Sequence, residues 1–187
     1  MKEKFYEFIR IIRPKISGLF LILFIFFGKP KTLYWIIIGS VIAFLGLVIR
    51  VWAAGCIEKN KFVCTRGPYA FVRHPLYVGN FLFGVGLCVS ITDFSNFWMY
   101  FWAFFIFLFL GVFYPLILSE EAFLEKNFPE QFLEYKKKLK RFIPTFKTKY
   151  SPKFFSLRLF FYNQEHWRIL FYIVFVGWLV FRYYLDI

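Results

Sequence analysis

The run FWMYFWAFFIFLFLGVFYPLIL, Phe97 to Leu118, contains no charged residue. A helix needs about 20 mostly apolar residues to cross the hydrocarbon core of a bilayer, and this run is long enough. Four more apolar runs lie on either side of it: Ile16–Phe27, Leu33–Ile49, Tyr77–Ile91 and Trp167–Leu185. The first of them is short, and it can span only by tilting, thinning the bilayer or recruiting preceding residues. We therefore predict an all-α integral membrane protein with about five transmembrane helices.

The composition supports a membrane protein. Of the 187 residues, 60% are hydrophobic, 26% are aromatic and 19% are charged, whereas soluble domains are about 45–50% apolar. A soluble domain of this size could not bury so many apolar side chains, and a disordered chain would contain few aromatic residues. The three cysteines, Cys56, Cys64 and Cys88, cannot all pair, so we interpret them as reduced.

The net charge of +13 is concentrated beside the apolar runs. No nucleic-acid motif accompanies it, so we expect an anionic membrane surface as the partner and no nucleic acid. Lysines and arginines are frequent before the first run and in the segments 50–76 and 119–166, which predicts that these three segments are cytoplasmic. No small-residue cleavage site follows Ile16–Phe27, so a secretory signal peptide is not expected. No repeat or linker divides residues 1–187, and we expect a single domain.

The first segment with candidate functional residues is CTRGPYAFVRHPLYVG, Cys64 to Gly79. Gly67 and Pro68 indicate a turn, and Pro75 favours a helix that begins just after His74. The free N–H groups of that helix end would attract an anionic ligand group. The alternative is that Arg73 and His74 are interfacial anchors beside an aromatic belt.

Two acidic residues, Glu120 and Glu121, follow the longest apolar run directly. Carboxylates so close to the apolar zone are costly unless they face water, a cation or a partner, so they would suit a cationic ligand. The alternative is that Ser119 caps a new helix and the two acids occupy its first turn. The following basic and aromatic segment, residues 128–144, is typical of a helix that lies on an anionic membrane surface.

Taken in order, Gly67-Pro68-Tyr69, Arg73 to Gly79, Glu120-Glu121 and Phe128 to Lys137 resemble the isoprenylcysteine carboxyl methyltransferase family and the related phospholipid N-methyltransferases. The resemblance covers residues of about 52–144 and implies an integral membrane enzyme that uses S-adenosylmethionine. It implies that the cofactor pocket is lined by Lys61, Phe62, Val63, Cys64, Tyr69, His74, Tyr77, Gly79, Glu120 and Glu121. Of these, His74, Glu120 and Glu121 are the catalytic candidates, as proton acceptors if the methyl acceptor is an amine.

One feature departs from the family pattern. The carboxyl methyltransferases carry a basic residue about one turn before the acidic pair, whereas Tyr114 to Leu118 contains none. Arg50 or Arg73 could replace it, and the acceptor is therefore left as either a phospholipid amine or a prenylcysteine carboxylate. The extra C-terminal run, 167–185, has no assigned role, and Glu165 and Arg168 are interpreted as flanking it at the interface.

These observations predict a methyltransferase whose pocket lies at the cytoplasmic interface and whose acceptor is lipidic. Two alternatives remain: a nonenzymatic scaffold or lipid-binding protein, and a membrane enzyme similar to the sterol reductases, although no Gly-x-Gly-x-x-Gly signature is present. Two histidines and three scattered cysteines offer no suitable spacing, so no metal site is expected.

Overall fold

The computed structural model describes residues 11, 16, 18–19, 22–28, 30, 32–58, 62–92, 98–146 and 155–185. All regular secondary structure in this part of the chain is helical. The elements are α1 (Leu33–Cys56), a 3-10 turn (Gly67–Ala70), α2 (Pro75–Ser90), α3 (Trp98–Leu108), a π-helical segment (Phe109–Phe113), α4 (Tyr114–Asn127), α5 (Pro129–Lys138), α6 (Leu157–Tyr162) and α7 (Glu165–Leu185). The prediction of an all-α integral membrane protein is confirmed.

Among the described residues, three helical stretches are long and apolar enough to cross a membrane: Leu33–Cys56, Trp98–Asn127 and Glu165–Leu185. Helix α2 is also apolar but has 16 residues, which is about 24 Å at 1.5 Å per residue. These four stretches match four of the five predicted runs. The other run, Ile16–Phe27, lies partly outside the described residues, although residues 22–27 are helical. The number of five crossings stays a prediction.

Helices α3 and α4 are continuous through the π-helical segment. Pro115 explains this segment, because its ring has no N–H to donate to Gly111 and would clash with the preceding turn of a regular helix. Ser119 lies inside the continuous helix, and its Oγ donates to the carbonyl of Leu116 at 2.8 Å. The alternative that Ser119 caps a new helix is therefore wrong, and Glu121 belongs to the helix that also carries the longest apolar run.

The chain forms two compact units, each assembled from separated segments. The first unit combines Met1–Ala43, Gly84–Glu120 and Val174–Ile187. In its core, the ring of Phe24 lies 5.5 Å from that of Phe101 and 5.0 Å from that of Phe175. Helices α1 and α2 approach closely in this unit, since a Cβ on Gly86 would lie 2.5 Å from the carbonyl oxygen of Gly39. Small residues at such contacts are typical of membrane helices.

The second unit combines Phe44–Phe83 and Glu121–Ile173. One part of its core consists of Val63, Phe132, Tyr135 and Leu139. Helix α5 therefore directs its apolar face at the protein, although the sequence suggested that the whole segment 128–144 lies on the membrane surface. The unit also contains most of the residues predicted to form the site. The prediction of a single domain, with a motif core at about 52–144, stays a prediction.

Candidate functional site

A short loop places His74 at the beginning of α2. Gly67 has a φ of +60°, a backbone conformation that favours glycine, and it opens the 3-10 turn Gly67–Ala70. Pro75 then begins α2, and the N–H groups of Tyr77 and Val78 donate to the carbonyl of His74 at 3.1 Å each. The backbone carbonyl of His74 therefore accepts the hydrogen bonds of the first turn of α2. Its imidazole makes a separate contact, with Glu121.

The chain after α5 returns to this loop and pairs with it. The backbone N–H of Arg73 donates to the carbonyl of Lys140 at 3.0 Å, and that of His74 donates to the carbonyl of Arg141 at 3.2 Å. Further along, the N–H of Thr145 donates to the carbonyl of Phe71 at 2.8 Å. These bonds hold residues 71–74 and 140–145 side by side.

The hydroxyl of Tyr135 adds a side-chain connection between α5 and the loop. It donates to the carbonyl of Tyr69 at 2.7 Å and approaches that of Val72 at 3.4 Å. Burial raises the pKa of Tyr135 far above its usual range, so the hydroxyl keeps its proton and remains a donor. The contact gives these backbone carbonyls a side-chain donor.

Glu121 is the centre of the site. Its side chain is only 5% exposed, and its Oε1 accepts from Arg73 Nη1 at 2.7 Å and from His74 Nε2 at 3.1 Å. Its Oε2 accepts from Nη2 and Nε of Arg141 at 2.8 and 3.1 Å. One buried carboxylate thus joins the loop before α2, helix α4 and the chain after α5.

The charge of this cluster follows from its residues. A carboxylate accepts hydrogen bonds, so Nε2 is the donor in the contact of His74 with Glu121. Arg73 and Arg141 are always charged, and together with Glu121 they have a net charge of +1. The cluster favours an anionic ligand group, and the oxygens of Glu121 are already occupied by donors of the protein.

A second buried ion pair lies in the same unit. Arg50 Nε and Nη2 donate to Glu165 Oε2 and Oε1 at 3.0 and 2.9 Å, and Nη1 donates to Asn80 Oδ1 at 2.8 Å. Arg168 also approaches the Glu165 carboxylate, at 3.3 Å. Glu165 is the first residue of α7, and its side chain is 1% exposed because it pairs with Arg50. Its position at the membrane interface stays a prediction. Helix α1 extends beyond the apolar run Leu33–Ile49, to Cys56.

The predicted site residues divide into several groups. His74 and Glu121 are in contact, and the ring of Tyr77 lies 5.9 Å from that of His74. The side chains of Val63, Cys64 and Tyr69 are buried, and Cys64 and Tyr69 pack together with Ala53.

The other predicted residues are placed differently. Phe62 is 40% exposed, and Glu120 is exposed because neighbouring residues of a helix point in different directions. Gly79 faces α1, where a Cβ would lie 2.7 Å from the Gly46 carbonyl, so its role in the structure is helix packing. Lys61 lies outside the described residues. The assignment of these residues to a cofactor pocket stays a prediction.

Sequence reasoning missed Tyr135 and Arg141 as members of the site. It offered Arg73 as an anchor or as a replacement for the missing basic residue, and it interpreted Arg141 as part of a membrane-binding surface. The signal for Tyr135 was its spacing from Phe132 on one face of α5, since residues three apart on a helix are neighbours. Within the described residues no three His, Cys, Asp or Glu side chains come together to hold a metal ion.

Comparison with known proteins finds similarity in the part of the chain that contains Arg73, His74 and Glu121. The model of the isoprenylcysteine carboxyl methyltransferase family matches residues 36–126. The chain is 34% identical over 110 residues to the nickel-cobalt-cadmium resistance protein NccN of Alcaligenes xylosoxydans xylosoxydans, covering 57% of this chain and 48% of that protein. It is 36% identical over 103 residues to the cobalt-zinc-cadmium resistance protein CzcN of Cupriavidus metallidurans, covering 54% and 44%.

A third relative is the protein-S-isoprenylcysteine O-methyltransferase of Schizosaccharomyces pombe, 34% identical over 90 residues, covering 46% of this chain and 35% of that protein. The matched part is thus less than half the length of each of these relatives. No solved structure matches the chain. The family match includes Arg73, His74 and Glu121 but ends before Tyr135 and Arg141.

Proposed function

We propose that this chain is an integral membrane methyltransferase. The match of residues 36–126 to the isoprenylcysteine carboxyl methyltransferase family and the likeness to an isoprenylcysteine O-methyltransferase support this proposal. The methyl donor is S-adenosylmethionine, and the acceptor is lipidic, either a phospholipid amine or a prenylcysteine carboxylate. The observation that carries the proposal is the buried contact of His74, Arg73 and Arg141 with Glu121, because it unites the two separate motifs of the resemblance in one place.

The residues present suit S-adenosylmethionine. The guanidinium groups of the site suit the carboxylate of the cofactor. The aromatic rings beside them suit its positively charged groups. Arg73 Nε is buried and has no hydrogen-bond partner among the described residues, as expected of a donor that is completed by a ligand. The ring of Tyr77, next to His74, suits a sulfonium because aromatic faces attract cations.

In methyl transfer, the main task of the protein is to position the donor and the acceptor, and acid or base catalysis contributes less. When bound, the cofactor supplies a methyl group on a sulfonium: the acceptor lone pair forms the bond to the methyl carbon as the carbon–sulfur bond breaks and its electron pair returns to sulfur. Holding donor and acceptor in line lowers the barrier by several kcal/mol. The loop around His74 is suited to this task, since the chain after α5 fixes it by three backbone hydrogen bonds.

The structure also restricts how a proton is removed from an amine acceptor. Glu121 already accepts from three side chains, one of which is the Nε2 atom of His74. His74 Nδ1 and Glu120 stay candidates for this role. A carboxylate acceptor needs no base, and in that case the role of Glu121 is to orient the two arginines.

We place the site on the cytoplasmic side of the membrane. The segments that carry it, 50–76 and 119–166, contain most of the lysines and arginines outside the N-terminal region, and such loops remain in the cytoplasm. In α5, Lys136, Lys137 and Lys138 are exposed beside the site and suit an anionic membrane surface. A lipidic acceptor then reaches the site from the bilayer and the polar cofactor from the cytoplasm.

The proposal is tested by incubating purified protein with methyl-labelled S-adenosylmethionine and a total lipid extract, and by identifying the labelled product. We expect label in a lipid or lipidated molecule, and loss of at least about 100-fold in rate for His74→Ala, the range typical of an acid, base or orienting group. His166→Ala is the matched control, because the chain has two histidines and His166 packs on Phe160 and Phe161 instead. No label with any lipid, together with no binding of the cofactor, would point to a scaffold or a reductase.

A further inference from the structure

Four arginines of the second unit contact buried carboxylates: Arg50 and Arg168 contact Glu165, and Arg73 and Arg141 contact Glu121. Arg50 and Arg141 do so in the same way. Arg50 directs Nε and Nη2 at the carboxylate of Glu165, at 3.0 and 2.9 Å. Arg141 directs the same two nitrogens at Oε2 of Glu121, at 3.1 and 2.8 Å. In each case the carboxylate fills the edge of the guanidinium on which two N–H groups point in parallel.

Arg73 leaves this edge open. The only hydrogen bond from its side chain to the described residues runs from Nη1 to Glu121 Oε1, at 2.7 Å. Its Nε is buried without a partner in the described part of the chain, and its side chain is 10% exposed. A buried donor without a partner is costly, and such groups are rare in a folded protein unless a ligand or ion completes them.

We propose that the Nε and Nη2 edge of Arg73 binds a carboxylate of the ligand, in the paired geometry that Arg50 and Arg141 already adopt. The charge of the cluster agrees with this occupant, because Arg73 and Arg141 carry two positive charges and Glu121 carries one negative charge. Glu121 holds the opposite side of Arg73, so the guanidinium is oriented before the ligand arrives.

This inference rests on the proposed function, which offers two sources of such a carboxylate. One is the amino-acid end of S-adenosylmethionine, and the other is the free carboxylate of a prenylated cysteine acceptor. Arg73 would fill the second role in place of the basic residue that is missing from Tyr114 to Leu118. The chemistry recognised is the same in both cases, and the binding experiment separates them.

The experiment measures equilibrium binding of four compounds to purified full-length protein by titration calorimetry. The donor arm compares S-adenosylhomocysteine with its decarboxylated analogue, and the acceptor arm compares an N-acetylated prenylcysteine with its neutral methyl amide. In the arm that supplies the carboxylate, we expect the wild-type protein to prefer the acid by about 10- to 100-fold, as for a charge-assisted hydrogen bond. Arg73→Lys should reduce that preference to less than about threefold.

Arg73→Lys is informative because it keeps the charge and a donor for Glu121 but removes the paired N–H edge. Arg73→Gln, which removes the charge, should abolish the preference as well. Arg66→Gln is the matched control, because Arg66 is an exposed arginine of the same loop. Its preference should equal that of the wild-type protein.

The outcomes separate the two proposals. Loss of preference in the donor arm alone, or in the acceptor arm alone, supports the inference and identifies the source of the carboxylate. Binding of S-adenosylhomocysteine with a preference that survives both Arg73 variants in both arms overturns the inference and leaves the proposed function intact. If the wild-type protein binds none of the four compounds, the proposed function fails and the inference fails with it.

Discussion

The Nε2 atom of His74 lies 3.1 Å from the Oε1 atom of Glu121, although 47 positions separate the two residues in the chain. One residue precedes the first turn of α2, and the other lies near the end of the long helix that begins at Trp98. The contact joins two motifs that the sequence could only place in order. The following predictions test what this contact and its neighbours do.

Glu121→Gln should lower the melting temperature and abolish methyl transfer. The substitution removes the one negative charge shared by two arginines, and breaking a buried ion pair from one side typically costs about 3–5 kcal/mol. Thermal unfolding in detergent and a labelled-methyl assay measure the two effects. Glu125→Gln is the control, because its carboxylate is 45% exposed and lies 3.5 Å from Lys136, and exposed pairs contribute about 0–1 kcal/mol. Equal losses in both variants would contradict the role given to Glu121.

Tyr135→Phe should destabilise the protein by about 1–3 kcal/mol, because it leaves the buried carbonyl of Tyr69 without its donor. It should also weaken cofactor binding, since the loop before His74 loses a connection to α5. Tyr162→Phe serves for comparison, because Tyr162 is 77% exposed at the end of α6. The test compares the melting temperatures of the two variants. If the Tyr135 variant is as stable as the Tyr162 variant, the hydrogen bond does not contribute to stability.

Glu165→Ala should destabilise the protein by about 3–5 kcal/mol, because Arg50 would keep a buried charge without its carboxylate. The double variant Arg50→Met/Glu165→Met should be more stable than Glu165→Ala, since it removes both charges and keeps apolar volume. Melting temperatures of the single and double variants form the test. If the double variant is the least stable of them, the two residues are not coupled as an ion pair.

Gly79→Ala should cost about 1–3 kcal/mol, the usual range for overpacking. The added Cβ would lie 2.7 Å from the Gly46 carbonyl and 2.8 Å from Arg50 Cβ, so α1 and α2 must separate. Gly177→Ala makes the same chemical change on α7, where nothing lies within 4 Å. That variant should be neutral or up to about 1 kcal/mol more stable, because alanine favours helices. Similar melting temperatures for the two variants would argue against close packing at Gly79.

Lys137→Cys should react with a membrane-impermeant maleimide in inverted vesicles and not in intact cells. Lys137 is exposed on α5, and the predicted topology places this helix in the cytoplasm. The three native cysteines are all buried, so the unmodified protein supplies a low background. Labelling in intact cells would reverse the orientation that we propose.

Local physics allowed parts of the structure to be predicted. Hydropathy located the apolar helices, because a helix that crosses a bilayer must carry about 20 apolar residues wherever it lies in the chain. Pro75 marked the start of α2, since proline fits the first turn of a helix and disturbs its interior. The order of the motifs placed His74 and Glu121 in one family pattern, and the two side chains are in contact.

The site itself needed distant residues to meet. Nothing near Arg141 in the sequence distinguishes it from the lysines of α5, and only folding pairs its guanidinium with Glu121, 20 positions away. Arg50 likewise pairs with Glu165, 115 positions later in the chain, and no local pattern indicates this partner.

Sequence alone therefore determined which segments are apolar, where α2 begins and which residues form the motifs. Tertiary structure decided which charges are neutralised, which guanidinium edge of Arg73 stays open and which glycine serves packing. The physical reason is that hydropathy and backbone restriction act within a few residues. The energy of a buried charge, in contrast, depends on partners that arrive from anywhere in the chain.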